Sequence, residues 1–130
     1  MYLDHIAIYT SDLERLKAFY EKYFSGRANA LYHNRKTGLK TYFITFESGA
    51  RLELMQHPVF SGRVAASSKN GLTHLAFCVG CREDVDKLTN LLSEDGYALK
   101  SAPRVTGDGY YESCILDPDG NEVEIVAERE

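Results

Sequence analysis

The sequence predicts an α+β fold made of two tandem βαβββ modules, each with a curved sheet. Three observations carry the prediction. First, a histidine-bearing strand is written twice, as Asp4-His5-Ile6-Ala7-Ile8 and as Thr73-His74-Leu75-Ala76-Phe77. Second, a glutamate-bearing strand is written twice, as Gly49-Ala50-Arg51-Leu52-Glu53-Leu54-Met55 and as Gly120-Asn121-Glu122-Val123-Glu124-Ile125-Val126. Third, the spacing within each copy agrees, 48 residues from His5 to Glu53 and 50 from His74 to Glu124. An internal repeat outranks any local reading of the chain. Residues 1–130 therefore form a single domain, with modules over 1–56 and 73–130 and a linker over 57–72.

The first module opens on a strand over residues 3–9. Thr10-Ser11-Asp12 then offers side-chain oxygens to the free N–H groups of a helix start. Glu14 stands three residues after Ser11, the spacing of a capping box. Leu13, Leu16, Phe19, Tyr20 and Tyr23 recur at helical spacing and form one apolar stripe. Gly26 is placed to end the helix. Residues 28–33 read as a strand, 34–38 as a turn, 39–47 as the third strand and 51–55 as the fourth.

From Gln56 to Leu72 the pattern breaks into Pro, Gly, Ser and Asn, which marks the linker. The second copy begins with a strand over residues 73–79. Glu83 and Asp84 suit the positive end of the next helix dipole. Val85, Leu88, Leu91 and Leu92 form its stripe, and Gly96 ends it. Residues 97–101 read as a strand and 103–109 as a Pro/Gly loop. Strands over 111–116 and 122–127, joined by a turn at 117–120, complete the module.

Bulk properties exclude several classes. A chain of 130 residues, 44% hydrophobic and 26% charged, is ordinary for a soluble globular protein. The net charge of −4 gives no global attraction to nucleic acid or to an anionic membrane. Arg35, Lys36 and Lys40 read as a solvated basic loop, and His33 and His57 as surface or supporting residues. No apolar run approaches the ~20 residues that span a bilayer, and the chain opens directly on its first strand. A cytoplasmic protein is expected. The three cysteines are an odd number, which argues against a disulfide framework. Cys78 and Cys81 lie at a strand end and a helix entry and lack the two further ligands of a structural zinc site.

The chemistry rests on alternation. Side chains on a strand point to opposite faces in turn. Ile6 and Ile8 therefore oppose His5, and Leu75 and Phe77 oppose His74. Leu52 and Leu54 oppose Glu53, and Val123 and Ile125 oppose Glu124. Each sheet gains an oily face for a helix and a face carrying a polar group. One such histidine or glutamate alone is usually just hydrogen-bonded or solvated. Two imidazoles and two carboxylates repeated in register make a mixed N/O ligand set for a divalent first-row ion.

The double pattern resembles the vicinal oxygen chelate superfamily, which includes glyoxalase I (lactoylglutathione lyase), bleomycin-resistance proteins, extradiol dioxygenases, methylmalonyl-CoA epimerase and fosfomycin thiol transferases. The carriers are His5 to Ile8, Phe19-Tyr20, Arg51 to Leu54, Thr73 to Phe77, and Asp117-Pro118-Asp119-Gly120 leading into Glu122 to Ile125. The resemblance implies a glyoxalase-like fold of curved sheets around a metal cleft, with strand order 1-4-3-2 in each module. It implies metal ligation by His5, Glu53, His74 and Glu124, with Glu124 as the catalytic base and Glu53 as a ligand and possible partner base. The implied cofactor is one divalent ion per site, zinc or nickel foremost, cobalt or manganese as alternatives. Relatives of this length pair as homodimers with sites at the subunit interface, although pairing within one chain also occurs.

The filled ligand quartet resembles glyoxalase I most. The implied activity is a metal-dependent lyase or isomerase that chelates a small oxygenated substrate and shifts a proton through an enediolate. Thr73 stands where glyoxalase I usually has Gly, and Gln56-His57-Pro58 stands where it often has Asn, so glutathione is not carried over as co-substrate. Arg51, Tyr42, Tyr111 and Glu122 are candidates for lining the cleft. The competing readings are a metal-free drug-binding protein of the bleomycin-resistance type and a thiol transferase acting on an antibiotic.

Overall fold

The computed structural model describes residues 1–59 and 71–128. The chain divides into two compact units, Met1–Ala66 and Ser67–Glu130. Most of the expected linker, residues 60–70, lies outside the described residues.

In the first unit β1 (His5–Tyr9) leads into α1 (Leu13–Phe24), then β2 (Arg27–Ala28), β3 (Tyr32–His33), β4 (Lys40–Thr45) and β5 (Arg51–Gln56). The sheet order is β1-β5-β4-β2, with β3 also paired to β4. β1 and β5 run parallel, so the first and last strands are neighbours as expected. The expected stripe of α1 is buried throughout, Leu13, Leu16, Phe19, Tyr20 and Tyr23, and meets Ile44, Leu52 and Leu54 from the sheet. Burial of such side chains is worth about 1.5–3 kcal/mol each, which is what holds helix to sheet.

Three local expectations shift. The helix cap is Asp12, whose Oδ1 accepts the Arg15 N–H at 3.1 Å, so the Ser11–Glu14 capping box is not used. The left-handed C-cap is Ser25 (φ 53°), and Gly26 is small for another reason. A Cβ on Gly26 would lie 2.5 Å from Ile44 Cγ2. The strand expected over 28–33 is two short pieces because Asn29 interrupts it. The Asn29 side-chain Oδ1 accepts the Phe43 N–H at 2.8 Å, taking a place that a backbone carbonyl would hold in an unbroken ladder.

The second unit runs β6 (His74–Gly80), α2 (Arg82–Glu94), β7 (Leu99–Val105), β8 (Tyr111–Leu116) and β9 (Glu122–Ala127). Its sheet order is β6-β9-β8-β7, with β6 and β9 parallel, the same topology as the first unit. β7 extends over Ala102 to Val105, where a loop was expected to begin at Pro103. β7 is an edge strand with register shifts against β8, and an edge tolerates a residue that lacks an N–H. In α2 the buried side chains are Val85, Thr89 and Leu92, while Leu91 is exposed. Thr89 replaces the expected leucine because it has partners, the Val85 carbonyl and Ser113 Oγ, both at 2.6 Å.

The turn before β9 is tightly bonded. Buried Asp117 accepts the Asp119 and Asn121 N–H groups at 2.9 Å through Oδ1 and the Asn121 amide at 2.8 Å through Oδ2. That network sets where β9 begins, and hence where Glu124 falls. No helix among the described residues is long and apolar enough to cross a membrane.

Candidate metal centre

Strand pairing decides what each histidine meets. In the first unit Ala7 is the partner of Glu53 and His5 the partner of Arg51. In the second unit Ala76 is the partner of Glu124 and His74 the partner of Glu122. In both, the glutamate sits two residues along from the histidine on the neighbouring strand and on the same face. His5 Nε2 lies 3.5 Å from Glu53 Oε2, and His74 Nε2 lies 3.2 Å from Glu124 Oε2. The sequence-predicted residues are thus brought together as two pairs of identical register. Among the described residues no group of three or more His, Cys, Asp and Glu is gathered to hold an ion, and each unit brings together two of the four expected ligands.

The two pairs are partly open to solvent. The His5 and His74 side chains are 40% and 38% exposed, while Glu53 and Glu124 are 16% and 22% exposed. Each carboxylate is set on a strand beside leucine, valine or isoleucine residues that are fully or nearly buried, which fixes its direction. The donor types fit a divalent first-row ion, neutral imidazole nitrogen with carboxylate oxygen.

The surroundings of the two histidines differ. Asp4 Oδ2 is 2.7 Å from His5 Nδ1 and accepts from Arg51 Nη2 at 2.6 Å. The His5 imidazole and then Arg51 hold the Asp4 carboxyl below its ordinary range. The Arg51 guanidinium lies over the Phe43 ring at 4.4 Å, and His5 meets the same ring edge-on at 5.2 Å. Around His74 the partner of Nδ1 is Thr73 Oγ1 at 2.9 Å. Glu122 is bonded by Lys100. Glu112, on the same face by its pairing with Val126, has its carboxyl pushed up, first by burial and then by the charge of Glu124.

Of the candidate cleft residues, Arg51 and Glu122 pair with the histidines, but Tyr42 and Tyr111 do not share their face. Tyr42 is the partner of buried Leu54 and donates to Glu14 of α1 at 2.7 Å. Tyr111 donates to Asp86 of α2 at 2.6 Å and lines a groove with Gly80, Cys81 and Glu128. Alternation explains both, since the phenols fall on the helix-bearing side. Asp4, Phe43, Lys100 and Glu112 were not singled out from the sequence. Strand alternation gives their faces only once the cross-strand register is known. His33 and His57 belong to neither pair. Cys78 and Cys81 are free thiols, and the Cys81 thiol is held protonated by Asp84, then Glu83.

The sequence model of the Glyoxalase/Bleomycin resistance protein/Dioxygenase superfamily matches residues 2–125. An uncharacterized Bacillus subtilis protein, YqjT, is 30% identical over 131 residues, covering 96% of this chain and 98% of its own. The crystal structure of a glyoxylase/bleomycin resistance protein/dioxygenase domain from Frankia sp. superposes with a TM-score of 0.83 at 20% identity, over 98% of this chain and 92% of that one. The trypanothione-dependent glyoxalase I of Leishmania major superposes with a TM-score of 0.79 at 20% identity, over 98% and 87%. At those identities the likeness of the solved structures is one of fold.

Proposed function

The chain belongs to the glyoxalase/bleomycin resistance protein/dioxygenase superfamily, and from that premise we propose that it is a metal-dependent lyase or isomerase acting on a small oxygenated substrate. His5, Glu53, His74 and Glu124 hold one divalent ion, zinc or nickel first among the candidates. The single observation that supports this is the identical His-to-Glu register of the two units, with Nε2 and Oε2 3.5 and 3.2 Å apart. When bound, such an ion supplies Lewis-acid polarisation of substrate oxygens.

The protein's own contribution is proton transfer. The Glu124 carboxylate takes a proton from the carbon beside a substrate carbonyl and returns it to the adjacent carbon. Glu124 suits the task because it is half-buried on a rigid central strand, next to an imidazole. Glu53 is the corresponding group in the first unit and serves chiefly as a ligand. The proposal extends to a homodimer, in which His5 and Glu53 of one chain act with His74 and Glu124 of its partner. Glutathione is one thiol to be tried and is not assumed.

The test begins with metal content. Protein purified without chelator carries a divalent ion, and His5→Gln and His74→Gln each lose it. If neither substitution changes the metal content, the reading fails. Turnover is then sought with methylglyoxal, first with glutathione and then with other thiols. Mixing His5→Gln with His74→Gln tests the dimer. Random exchange restores about a quarter of the wild-type sites if the halves come from different chains, and none if they come from one.

A further inference from the structure

We infer that Asp4 is the positioning residue that locks His5 in the tautomer with its proton on Nδ1, leaving Nε2 as a bare donor, and that the second unit has no such lock. Asp4 and Arg51 have no part in the preceding reading, which uses His5 as a ligand. Its consequence for ion affinity rests on that reading, but the tautomer itself does not.

The argument is one of donor and acceptor types. A carboxylate can only accept, and a guanidinium can only donate. Asp4 Oδ2 receives the Arg51 Nη2 donor at 2.6 Å, which holds it in place, and stands 2.7 Å from His5 Nδ1. That short contact is satisfied only when Nδ1 carries the proton. In the neutral ring Nε2 is then the unprotonated nitrogen, and it is the one beside Glu53 at 3.5 Å. Without a cation or proton between them, two acceptors would face each other there, so the locked tautomer leaves a place that a cation fills. Two more contacts hold the arrangement. Arg51 stacks on Phe43 at 4.4 Å, and the His5 ring meets the same phenyl edge-on.

The second unit provides the contrast. Its histidine has Thr73 Oγ1 at 2.9 Å from Nδ1. A hydroxyl donates or accepts with equal ease, so Thr73 selects neither tautomer of His74. The residue in the place of Arg51 is Glu122, which is engaged by Lys100 and, among the hydrogen bonds of the described residues, joins neither Thr73 nor His74. The first half-site is therefore set for an ion before one arrives, and the second acquires its tautomer on binding. A carboxylate behind a ligating imidazole also makes the other nitrogen a stronger donor.

The experiment uses the whole chain, stripped of metal, in five forms: wild type, Asp4→Leu, Asp4→Asn, Thr73→Val and His5→Gln. Long-range proton–nitrogen correlation spectra of the imidazoles are recorded at about pH 8, above the usual histidine range. Zinc and nickel affinities are then measured by competition with a chromophoric chelator, and thermal melting checks that each form is folded. In the wild type His5 shows a protonated Nδ1 and a bare Nε2, and in Asp4→Leu that signature is lost. Asp4→Leu weakens ion binding about 10- to 100-fold, whereas Thr73→Val weakens it about threefold or less. A wild-type His5 with its proton on Nε2 overturns the inference, as does an unchanged signature in Asp4→Leu. Loss of the ion in His5→Gln with full affinity in Asp4→Leu overturns the claimed consequence while leaving the metal reading intact. Full affinity in His5→Gln defeats the metal reading instead, and the spectra alone then decide the role of Asp4. Asp4→Asn, which keeps one acceptor oxygen, restores part of both signals.

Discussion

The two His–Glu pairs share a skeleton and differ in what flanks it. His5 and His74 lie diagonal to Glu53 and Glu124 by the same two-residue offset on the same pair of parallel strands. Around that skeleton Asp4 corresponds to Thr73, Arg51 to Glu122, Phe43 to Cys114 and Thr41 to Glu112. The first histidine thus has a cation and an aromatic ring beside it, and the second has two further carboxylates and a small buried thiol on its face. The lesson is that register holds the proposed ligands, whereas the flanking residues set the surroundings of each.

The largest expected effect breaks the symmetry directly. Glu124→Gln lowers turnover about 10²- to 10⁴-fold while retaining part of the metal, as removal of a general base does. Glu53→Gln loses metal affinity first, with turnover recovering at high metal. Equal kinetic losses, both restored by added metal, would make the two glutamates equivalent and end the distinction drawn between them.

A second contrast lies at the helix ends. A Cβ added at Gly26 would lie 2.5 Å from Ile44 Cγ2 and 3.0 Å from the Tyr20 carbonyl oxygen, so Gly26→Ala is expected to cost toward the upper end of about 1–3 kcal/mol from overpacking. Gly96 has φ +92° and nothing within 4 Å of an added Cβ, so Gly96→Ala is expected to cost only its backbone strain, about 1 kcal/mol. Denaturant unfolding of both variants measures the difference, and equal losses would refute the steric account of Gly26.

The third contrast is the polar link from each central strand to its helix. Tyr42 and Ser113 hold equivalent places, opposite Leu54 and Ile125. Ser113 is joined to Thr89 within the core at 2.6 Å. Thr89→Val leaves a buried hydroxyl without this partner and is expected to cost about 1–3 kcal/mol. Adding Ser113→Ala should recover much of that loss, and a double variant no better than the single one would count against the pairing.

Tyr42 is joined to the exposed Glu14, and Tyr42→Phe should cost about 1 kcal/mol or less at pH 7. This last effect depends on pH. The Tyr42 hydroxyl, and less so Lys17, lowers the Glu14 carboxyl in the folded chain. Its contribution is therefore present above the unfolded carboxylate range and fades as pH falls through the folded value. The melting difference between wild type and Tyr42→Phe should shrink on acidification. A difference that grows there would reverse the assignment.

Much of this was legible from residue order because the signals are local. The apolar stripe of α1, the alternation of His5 with Ile6 and of Glu124 with Ile125, and the turn at Asp117 each depend on neighbours a few positions away. Where local reading went astray, a distant partner had intervened. Asn29 broke a strand by bonding Phe43, Thr89 entered a core stripe through Ser113, and Pro103 was accepted because β7 is an edge.

The amino-acid sequence by itself determined that the chain is a repeat and which face of each strand carries its imidazole or carboxylate. Period-two alternation is a property of the backbone and needs no partner. Only the tertiary structure decided that Glu53 stands opposite Ala7, that Arg51 reaches Asp4 across 47 residues, and that Tyr42 and Tyr111 turn toward their helices. Those facts follow from cross-strand register, which is set by how buried side chains on separate strands pack together, and no local pattern contains it.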